Sequence, residues 1–202
     1  MRSKKNPLSL KWSFSEIIYL CSCKIYTTLF FRKSRLIRFP IDVRRKGCID
    51  FGKRLTTGKY CRIESFSING EKTLFFGNNV QINDFVHVSS LKNVEIGNNV
   101  LIASKVFISD LEHGSYNGDE HDSHPCSVVK DRTLSSKPVK ICDNVWIGEL
   151  VSILPGTTIG ENSIIGANSV VTKSIPANSI AVGNPAKVIK QFNFSTNRWE
   201  RV

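Results

Sequence analysis

Apolar residues recur every six positions through the second half of the chain. From residue 141 onward the sequence divides into the hexads ICDNVW, IGELVS, ILPGTT, IGENSI, IGANSV and VTKSIP. A large aliphatic residue opens every hexad, and small or β-branched residues fill the fifth position of the first five. Helices repeat near 3.6 residues and single strands near 2, so neither explains this period. It indicates a short strand, an inward-pointing anchor and a turn, which together predict a β-solenoid.

The same period continues upstream in groups of three hexads. Units open at residues 51, 57 and 63, then at 76, 82 and 88, and then at 96, 102 and 108. Extra residues follow each third hexad, which is expected of an 18-residue coil with three faces whose insertions leave from one corner. Because a single coil cannot bury its apolar face, several must stack, about 4.8 Å apart. We predict about five coils within residues 41–186, with an inserted loop at 109–140 and a C-terminal tail at 187–202.

A helix is predicted before the solenoid. Ser13 and Glu16 have the spacing of a capping box, and apolar residues then recur on one helical face: Phe14, Ile17, Ile18, Cys21, Ile25 and Leu29. Glu16 and Lys24 leave too short an uncharged run to span a membrane, which needs about 20 residues. Residues 1–40 therefore form a basic amphipathic segment. It either packs on the solenoid as a cap or attaches to an anionic membrane surface or a phosphate-bearing lipid carrier.

Charge and cysteine content narrow the function classes. The net charge is +11, but residues 1–60 hold 15 Lys/Arg against 3 Asp/Glu, and residues 61–202 hold 13 against 14. No nucleic-acid-binding motif accompanies the basic region, so a nucleic-acid partner is not expected. The 6 cysteines form no CxxC pair and follow no secretory signal, which favours free thiols in a reducing compartment over a zinc site or disulfides.

These motifs resemble a known family. The hexads, the run from Val145 to Lys190, QINDFVHV at 81–88, LIASKVFISD at 101–110 and the final RWERV are similar to the left-handed β-helix hexapeptide-repeat acyltransferases. The similarity is closest to bacterial lipopolysaccharide O-antigen O-acetyltransferases. It implies an all-β solenoid, a left-handed parallel β-helix of triangular coils, and a homotrimer with active sites between subunits. It also implies a cytoplasmic O-acetyltransferase, with peripheral contact at the inner membrane face left open.

The resemblance also implies the substrates. Acetyl-CoA is the expected donor, with no metal. The expected acceptor is a sugar hydroxyl of a surface polysaccharide (O-antigen, capsule or exopolysaccharide) or of its lipid-linked precursor. The alternative within the same fold is a small sugar, an amino sugar or a xenobiotic. A β-helix metalloenzyme would need three histidines meeting at a subunit boundary, and three of the four histidines crowd into one excursion. A non-catalytic scaffold is the remaining alternative.

The family pattern has a catalytic histidine at the start of the long excursion, where His113 stands in SDLEHG. A sugar hydroxyl has a pKa far above 7, so a neutral imidazole must take its proton as it attacks the thioester carbonyl. Asp110 or Glu112 could orient the ring. His121 and His124 have HxxH spacing, for which a metal site is one interpretation and a polar excursion the simpler one.

The other site residues are carried over position by position. Asn83 matches an asparagine that faces the acceptor hydroxyl, and Trp146 matches an aromatic residue of the donor pocket, although a subunit contact would also account for it. The resemblance implies that the coenzyme A tunnel is lined by Ala167, Thr172 and Lys173. Lys187 and Lys190 stand where relatives carry basic residues near the coenzyme phosphates, and as lysines they would act as point charges.

Overall fold

The computed structural model describes residues 12–202. They form one α-helix, twenty strands and two short 3-10 helices at Lys46–Cys48 and Val129–Asp131. The helix is α1 (Phe14–Phe30). The strands are β1 (Ile41–Arg44), β2 (Ile49–Asp50), β3 (Cys61–Ser65), β4 (Leu74–Phe76), β5 (Gln81–Ile82), β6 (His87–Ser90), β7 (Val94–Ile96), β8 (Leu101–Ile102), β9 (Phe107–Ser109), β10 (Leu111–His113), β11 (Leu134–Ser136), β12 (Val139–Ile141), β13 (Trp146–Ile147), β14 (Ser152–Ile153), β15 (Thr158–Ile159), β16 (Ile164–Ile165), β17 (Val170–Val171), β18 (Ser179–Val182), β19 (Lys187–Asn193) and β20 (Arg198–Arg201).

Three parallel sheets form the faces of a solenoid. Face A stacks β5, β8, β13, β16 and β18; face B stacks β1, β3, β6, β9, β14 and β17; face C stacks β2, β4, β7, β12 and β15. The chain visits face C, then A, then B in every coil, and it turns between them at three corners. We call the turns from A to B the A–B corner, those from B to C the B–C corner, and those from C to A the C–A corner.

Strand register confirms the six-residue phasing. On face B, Ile63 pairs with Val88, which pairs with Ile108, and the row continues through Ile153 to Val171. Equivalent rows run along face A from Ile82 and along face C from Phe76. All these anchors are buried in one continuous core. Together with the first coil of Phe51, Thr57 and Ile63, the rows give five complete coils, as predicted, with part-coils at both ends that begin at Ile37 and finish at Ala181.

Helix α1 covers the N-terminal end of the solenoid. Ser13 and Glu16 form the predicted capping box. Tyr19 donates a 2.7 Å hydrogen bond to the carbonyl of Phe39, and the Thr27 hydroxyl accepts one of 2.8 Å from the amide of Ile37. The helix therefore caps an open sheet edge, as solenoid ends require. Within residues 12–202 there is no helix with the length and apolarity needed to cross a membrane.

Two segments leave the regular coils. The excursion at 109–140 begins and ends as an antiparallel hairpin of β10 and β11, in which His113 pairs with Leu134. Residues 187–202, expected as a tail, form a second hairpin: β19 joins β18 antiparallel at the edge of face A, and β20 follows. A β-bulge between Ile180 and Ala181 shifts the register there.

Candidate active site

The candidate site residues fall into two groups on one protomer. Asn83 and Ala167 lie at the A–B corner, Trp146 on the outer side of face A, and Lys187 and Lys190 on the hairpin that extends face A. His113, Thr172 and Lys173 lie at the B–C corner. A whole face of the prism separates the two corners, so a single protomer does not bring the second group against the first.

His113 ends strand β10, and its imidazole is exposed to solvent. Within residues 12–202, no side chain hydrogen-bonds its ring. Gly114 follows with φ +111°, and a Cβ there would lie 2.6 Å from the Ser123 hydroxyl, so only glycine fits this bend. The backbone around His113 is thus tightly determined, whereas its ring is exposed.

Arg132, which the sequence did not single out, holds the loop that carries His113. Tyr116 donates a 2.5 Å hydrogen bond to the carbonyl of His113, and Arg132 donates one of 2.7 Å to the Tyr116 hydroxyl. Arg132 also donates to Ser127 and to the carbonyl of Pro125. A planar guanidinium with five donors suits such a hub. An arginine in a polar loop gives no sequence signal for this role, since its partners come from several distant positions.

The base of the same hairpin is anchored by Asp110. Its carboxylate accepts the backbone amides of Leu91, Lys92 and Asn93 at 2.7–2.8 Å and the Ser136 hydroxyl at 3.1 Å. Asp110 is completely buried. The Asp110 carboxylate is therefore already bonded to the turn at 91–93. Successive side chains of a strand point to opposite sides, so Glu112 points away from the side that His113 occupies. Neither acid is placed to orient the ring within one protomer.

Face A carries a row of outward residues that links two predicted donor-site residues. Trp146 pairs with Leu101 on one side and Ile164 on the other, and Ile164 pairs with Ile180. The row then reaches Lys190 and ends at Arg201. Trp146 is 50% exposed. Three strand spacings separate Trp146 from Lys190, which is about 14 Å.

The β-bulge adds a second lysine to this face. Lys187 pairs with Val182 and Lys190 with Ile180, two residues apart on β18, so both project from the outer side. Arg201 lies directly opposite Lys190 and has the same orientation. The outer face therefore changes from apolar at Leu101 and Trp146 to basic at its C-terminal end. Sequence reasoning missed Arg201 because its partner strand is set by the hairpin, beyond the hexads.

Asn83 lines an open cavity of about 340 Å3 together with Arg38, Lys59, Asp84 and Ser104. Its side chain is exposed, and its backbone amide donates to Ile102. Gly58 also lines the cavity, and a Cβ there would lie 2.2 Å from the Asp84 carboxylate, so a larger residue would push Asp84 aside. The cavity thus offers both basic and acidic groups beside the Asn83 amide.

Comparison with known proteins identifies the family. The family described as Bacterial transferase hexapeptide (six repeats) matches residues 138–173. Over 194 residues the chain is 44% identical to WbbJ of Escherichia coli (strain K12), a candidate lipopolysaccharide biosynthesis O-acetyl transferase by name, with 96% of this chain and 97% of that protein covered. The chain belongs to the bacterial hexapeptide-transferase family.

Solved structures agree with this hexapeptide-transferase assignment. A variant of AntD, an N-acyltransferase from Bacillus cereus in complex with dTDP-4-amino-4,6-dideoxyglucose and coenzyme A, superposes with a TM-score of 0.65 at 22% identity, covering 81% of this chain and 84% of AntD. A maltose O-acetyltransferase from Clostridium difficile 630 gives 0.52 at 35% identity, covering 74% and 73%. The predicted left-handed parallel β-helix and the prediction of an acetyltransferase enzyme are confirmed.

The remaining histidines of this hexapeptide transferase have other surroundings. His87 lies on the outer side of face B, where its Nε2 is 2.8 Å from the buried carboxylate of Glu64, which Arg62 also contacts. His121 is exposed, and His124 accepts a hydrogen bond from the amide of Cys126. Over the described part of the chain, no group of three or more His, Cys, Asp or Glu residues could hold a metal ion.

The cysteines of the transferase are free thiols, and all six lie in the described segment. Cys61 lies closest to the candidate acceptor side, with its thiol 3.1 Å from the carbonyl of Asn83. Burial raises the pKa of Cys61 to about 11. Because the thiolate is the reactive form, this thiol is not a nucleophile at neutral pH.

Proposed function

We propose that this hexapeptide transferase transfers an acetyl group from acetyl-CoA to a sugar hydroxyl of a surface polysaccharide, or of its lipid-linked precursor. The observation that carries the proposal is the near full-length likeness to a protein named for lipopolysaccharide biosynthesis. The reaction belongs to the cytoplasm, where free thiols such as these persist. A lipid-linked acceptor would bring the enzyme to the inner face of the cytoplasmic membrane as a peripheral protein.

In this reaction His113 is the general base. Its neutral imidazole takes the proton of the acceptor hydroxyl while the hydroxyl oxygen attacks the thioester carbonyl. The carbon–sulfur bond then breaks as the tetrahedral intermediate collapses, and the imidazolium returns the proton to the departing thiolate. The ring is exposed on a fixed backbone, and among residues 12–202 no side chain hydrogen-bonds it, which suits this role. No covalent enzyme intermediate is needed, since the acyl group passes directly from sulfur to oxygen.

The outer side of face A fits the donor. The apolar residues Leu101, Trp146 and Ile164 would lie along the pantetheine arm. Lys187, Lys190 and Arg201 would meet the coenzyme phosphates as cations, with Arg201 able to form a bidentate contact. The spacing of about 14 Å between Trp146 and Lys190 is of the order needed for an extended arm. Ala167, at the adjacent A–B corner, leaves room beside this path because its side chain is small and exposed.

A homotrimer would complete the site. His113, Thr172 and Lys173 lie at the B–C corner, whereas Asn83, Trp146, Ala167 and the two lysines lie on face A and the A–B corner. If three solenoids stand side by side, the B–C corner of one protomer meets the A–B corner of the next. The base would then come from one protomer, and the acceptor asparagine from its neighbour. Phe85 and Leu150, which are exposed at the A–B corner, give such an interface apolar area to bury.

The proposed function is tested with His113→Ala. Removing a general base lowers turnover by about 100-fold or more, because the hydroxyl must lose its proton to water instead. Purified enzyme is given acetyl-CoA with de-acetylated polysaccharide, with lipid-linked oligosaccharide or with small sugars, and thiol release is followed. His121→Ala, in the same excursion, is the matched control and should retain wild-type activity.

The results distinguish the parts of the proposal. Unchanged turnover of His113→Ala would show that another group removes the proton. Turnover on small sugars alone would replace the polysaccharide acceptor by a diffusible one and leave the chemistry intact. Absence of thiol release with every acceptor in the wild-type enzyme would remove the acetyl-transfer proposal itself.

A further inference from the structure

Helix α1 turns its apolar stripe away from the protein. Phe14 is 79% exposed, Ile25 63% and Leu29 64%. The same side of the helix also exposes Ile17, Ile18 and Cys21, and Trp12, just before the helix, is exposed as well. The sequence grouped most of these residues on one helical face, and an apolar face ordinarily packs on the core. A continuous exposed apolar stripe of this length marks an interaction site.

The packed side of α1 fixes this orientation. Tyr19, Cys23, Tyr26 and Thr27 face the solenoid: Cys23 and Thr27 are buried, and the Tyr26 ring packs tilted against Phe31 and edge-on against Phe39. The Tyr19 and Thr27 hydroxyls are bonded to the backbone of the first part-coil. Rotating the stripe inward would break these bonds and bury aliphatic side chains in place of fitted aromatic ones. The stripe is therefore held outward by the tertiary structure.

Basic residues lie on α1 and in the segments near its C-terminal end. Lys24 lies on the helix itself, and the segment after the helix exposes Arg32, Lys33 and Arg35. The backbone amide of Arg54 donates to the carbonyl of Lys33, which brings Lys53 and Arg54 to the same end. Across residues 12–202, none of these six side chains forms an ion pair with an acidic residue. Glu16, the acid of the helix, is used by the capping box.

We propose that α1 and this basic rim are a docking surface for an anionic phospholipid bilayer. The helix would lie in the plane of the membrane, its stripe about 5–10 Å into the boundary between headgroups and acyl chains. The basic rim would then meet the headgroup phosphates. A second copy of the chain is a poorer occupant, because two such rims facing each other would repel. The inference requires no acetyl transfer, so it stands or falls independently of the proposed function.

The position of α1 suits a membrane. The helix covers the N-terminal end of the solenoid, so its exposed side faces away from the coils, along the direction in which they stack. Solenoids standing side by side would carry their helices at one end of the assembly. Three docking surfaces on one plane raise the effective affinity well above that of a single helix. The sequence before the helix adds Arg2, Lys4, Lys5 and Lys11 to the same basic segment.

The test uses the full chain and sedimentation with large vesicles. Vesicles of phosphatidylglycerol and phosphatidylethanolamine should bind the protein, and binding should weaken as salt is raised. Vesicles of phosphatidylcholine should bind it far less. Ile25→Ser with Leu29→Ser should weaken binding to the anionic vesicles at least about tenfold, because two large side chains no longer enter the acyl region.

Matched controls distinguish binding through this surface from nonspecific binding of exposed apolar or basic side chains. Phe194→Ser with Val202→Ser removes comparably exposed apolar side chains at the C-terminal hairpin, at the opposite end of the solenoid from α1, and should bind like the wild type. Lys33→Gln with Arg35→Gln should reduce binding to anionic vesicles, whereas Lys130→Gln should not. Because all these positions are exposed, thermal unfolding should be unchanged in each variant.

Three outcomes would overturn the inference. The first is sedimentation of the Ile25→Ser, Leu29→Ser variant at the wild-type level. The second is equal wild-type binding to neutral and anionic vesicles, or binding to neither. The third is a change of oligomeric state in that variant, measured by analytical ultracentrifugation without any change in vesicle binding. In that last case the stripe would be a contact between copies of the chain.

Discussion

At the residue scale, Asp110 shows how one side chain can fix a functional loop. Its carboxylate gathers three backbone amides of the 91–93 turn, and its own carbonyl accepts the amide of Lys137 where the excursion returns. Both ends of the excursion are thereby closed at one corner. A buried carboxylate is stable only with such a set of donors. The residue thus determines where the His113 hairpin begins without contacting the imidazole.

We predict that Asp110→Ala lowers the free energy of unfolding by about 3 kcal/mol or more, since three amides lose their acceptor at about 1–3 kcal/mol each. Chemical denaturation measures this loss. Asp110→Asn should fall between the wild type and Asp110→Ala, because one amide oxygen can still accept. Glu112→Ala, an exposed neighbour on β10, is the control and should leave stability unchanged. Equal stability of Asp110→Ala and the wild type would show that the turn does not depend on this carboxylate.

At the element scale, the C–A corner is built as a ladder of polar side chains. Asparagines adopt the left-handed conformation there in successive coils, with φ between 56° and 58°: Asn79, Asn99, Asn144, Asn162 and Asn178. Asparagine tolerates this region better than other non-glycine residues. Side-chain amides then bond from coil to coil, as from Asn144 to Asn162 and from Asn162 to Asn178. The corner thus adds directional bonds to the stacking of aliphatic anchors.

Asp143 makes this corner sensitive to acid. Its carboxylate accepts the side-chain amide of Asn98 at 3.0 Å and the backbone amide of Asn98 at 2.7 Å, and these bonds lower the pKa of Asp143. A lowered pKa means that the carboxylate stabilises the folded state above its ordinary pKa near 4. That contribution is lost as the pH falls through the lower folded-state value.

We therefore predict that Asp143→Asn reduces the melting temperature at pH 7 by a few degrees. The free energy of unfolding should fall by less than about 1 kcal/mol, because the Asp143 carboxylate is only half-buried. At pH 3, below the ordinary pKa of an aspartate, the difference from the wild type should shrink, since the carboxyl of the unfolded chain is then mostly protonated and the contribution of the lowered pKa is being lost. Thermal melts at both pH values measure it. Glu161→Gln, an exposed acid at the same corner, should show neither effect. If the difference in melting temperature between Asp143→Asn and the wild type were the same at both pH values, the shape of the Asp143 side chain, and not its charge, would stabilise the corner.

At the scale of the whole molecule, the candidate site is divided between two corners of a prism. His113 belongs to the B–C corner and Asn83 to the A–B corner. A rigid β-helix does not bend to bring these corners together, because inter-coil hydrogen bonds hold every strand in register. The site residues become a single site only if neighbouring solenoids contribute one group each.

Mixed oligomers test this division. Asn83→Ala and His113→Ala subunits are each expected to be nearly inactive alone. When they are co-expressed with different tags and purified through both tags, one site in three of every mixed trimer should combine an intact histidine with an intact asparagine, or about a third of the sites. Activity should recover to that fraction of wild type. Co-expression of two differently tagged His113→Ala chains is the control. If the mixture stays as inactive as its components, each site lies within one protomer.

The sequence predicted the aliphatic anchors of the coils but missed the first part-coil and the C-terminal hairpin. The aliphatic anchors from Ile63 to Val171 could be predicted because every sixth residue must fill the same interior, whatever surrounds it. The part-coil at Ile37 and Val43 was missed because the Gly and hexad signals are absent there. The hairpin β19–β20 was missed because its pairing depends on the free edge of face A, which exists only once the coils have stacked.

The periodic sequence alone determined the coils, their number and the phase of their anchors, because burial repeats with the chain itself. Tertiary structure decided which side of α1 faces outward, since the aromatic and hydroxyl contacts on its other side outweigh the burial of the aliphatic stripe. It also decided that Trp146, Lys190 and Arg201 share one row, and that His113 lies a full face away from Asn83. These relations depend on strand pairing and corner geometry between residues far apart along the chain, which local pattern does not encode.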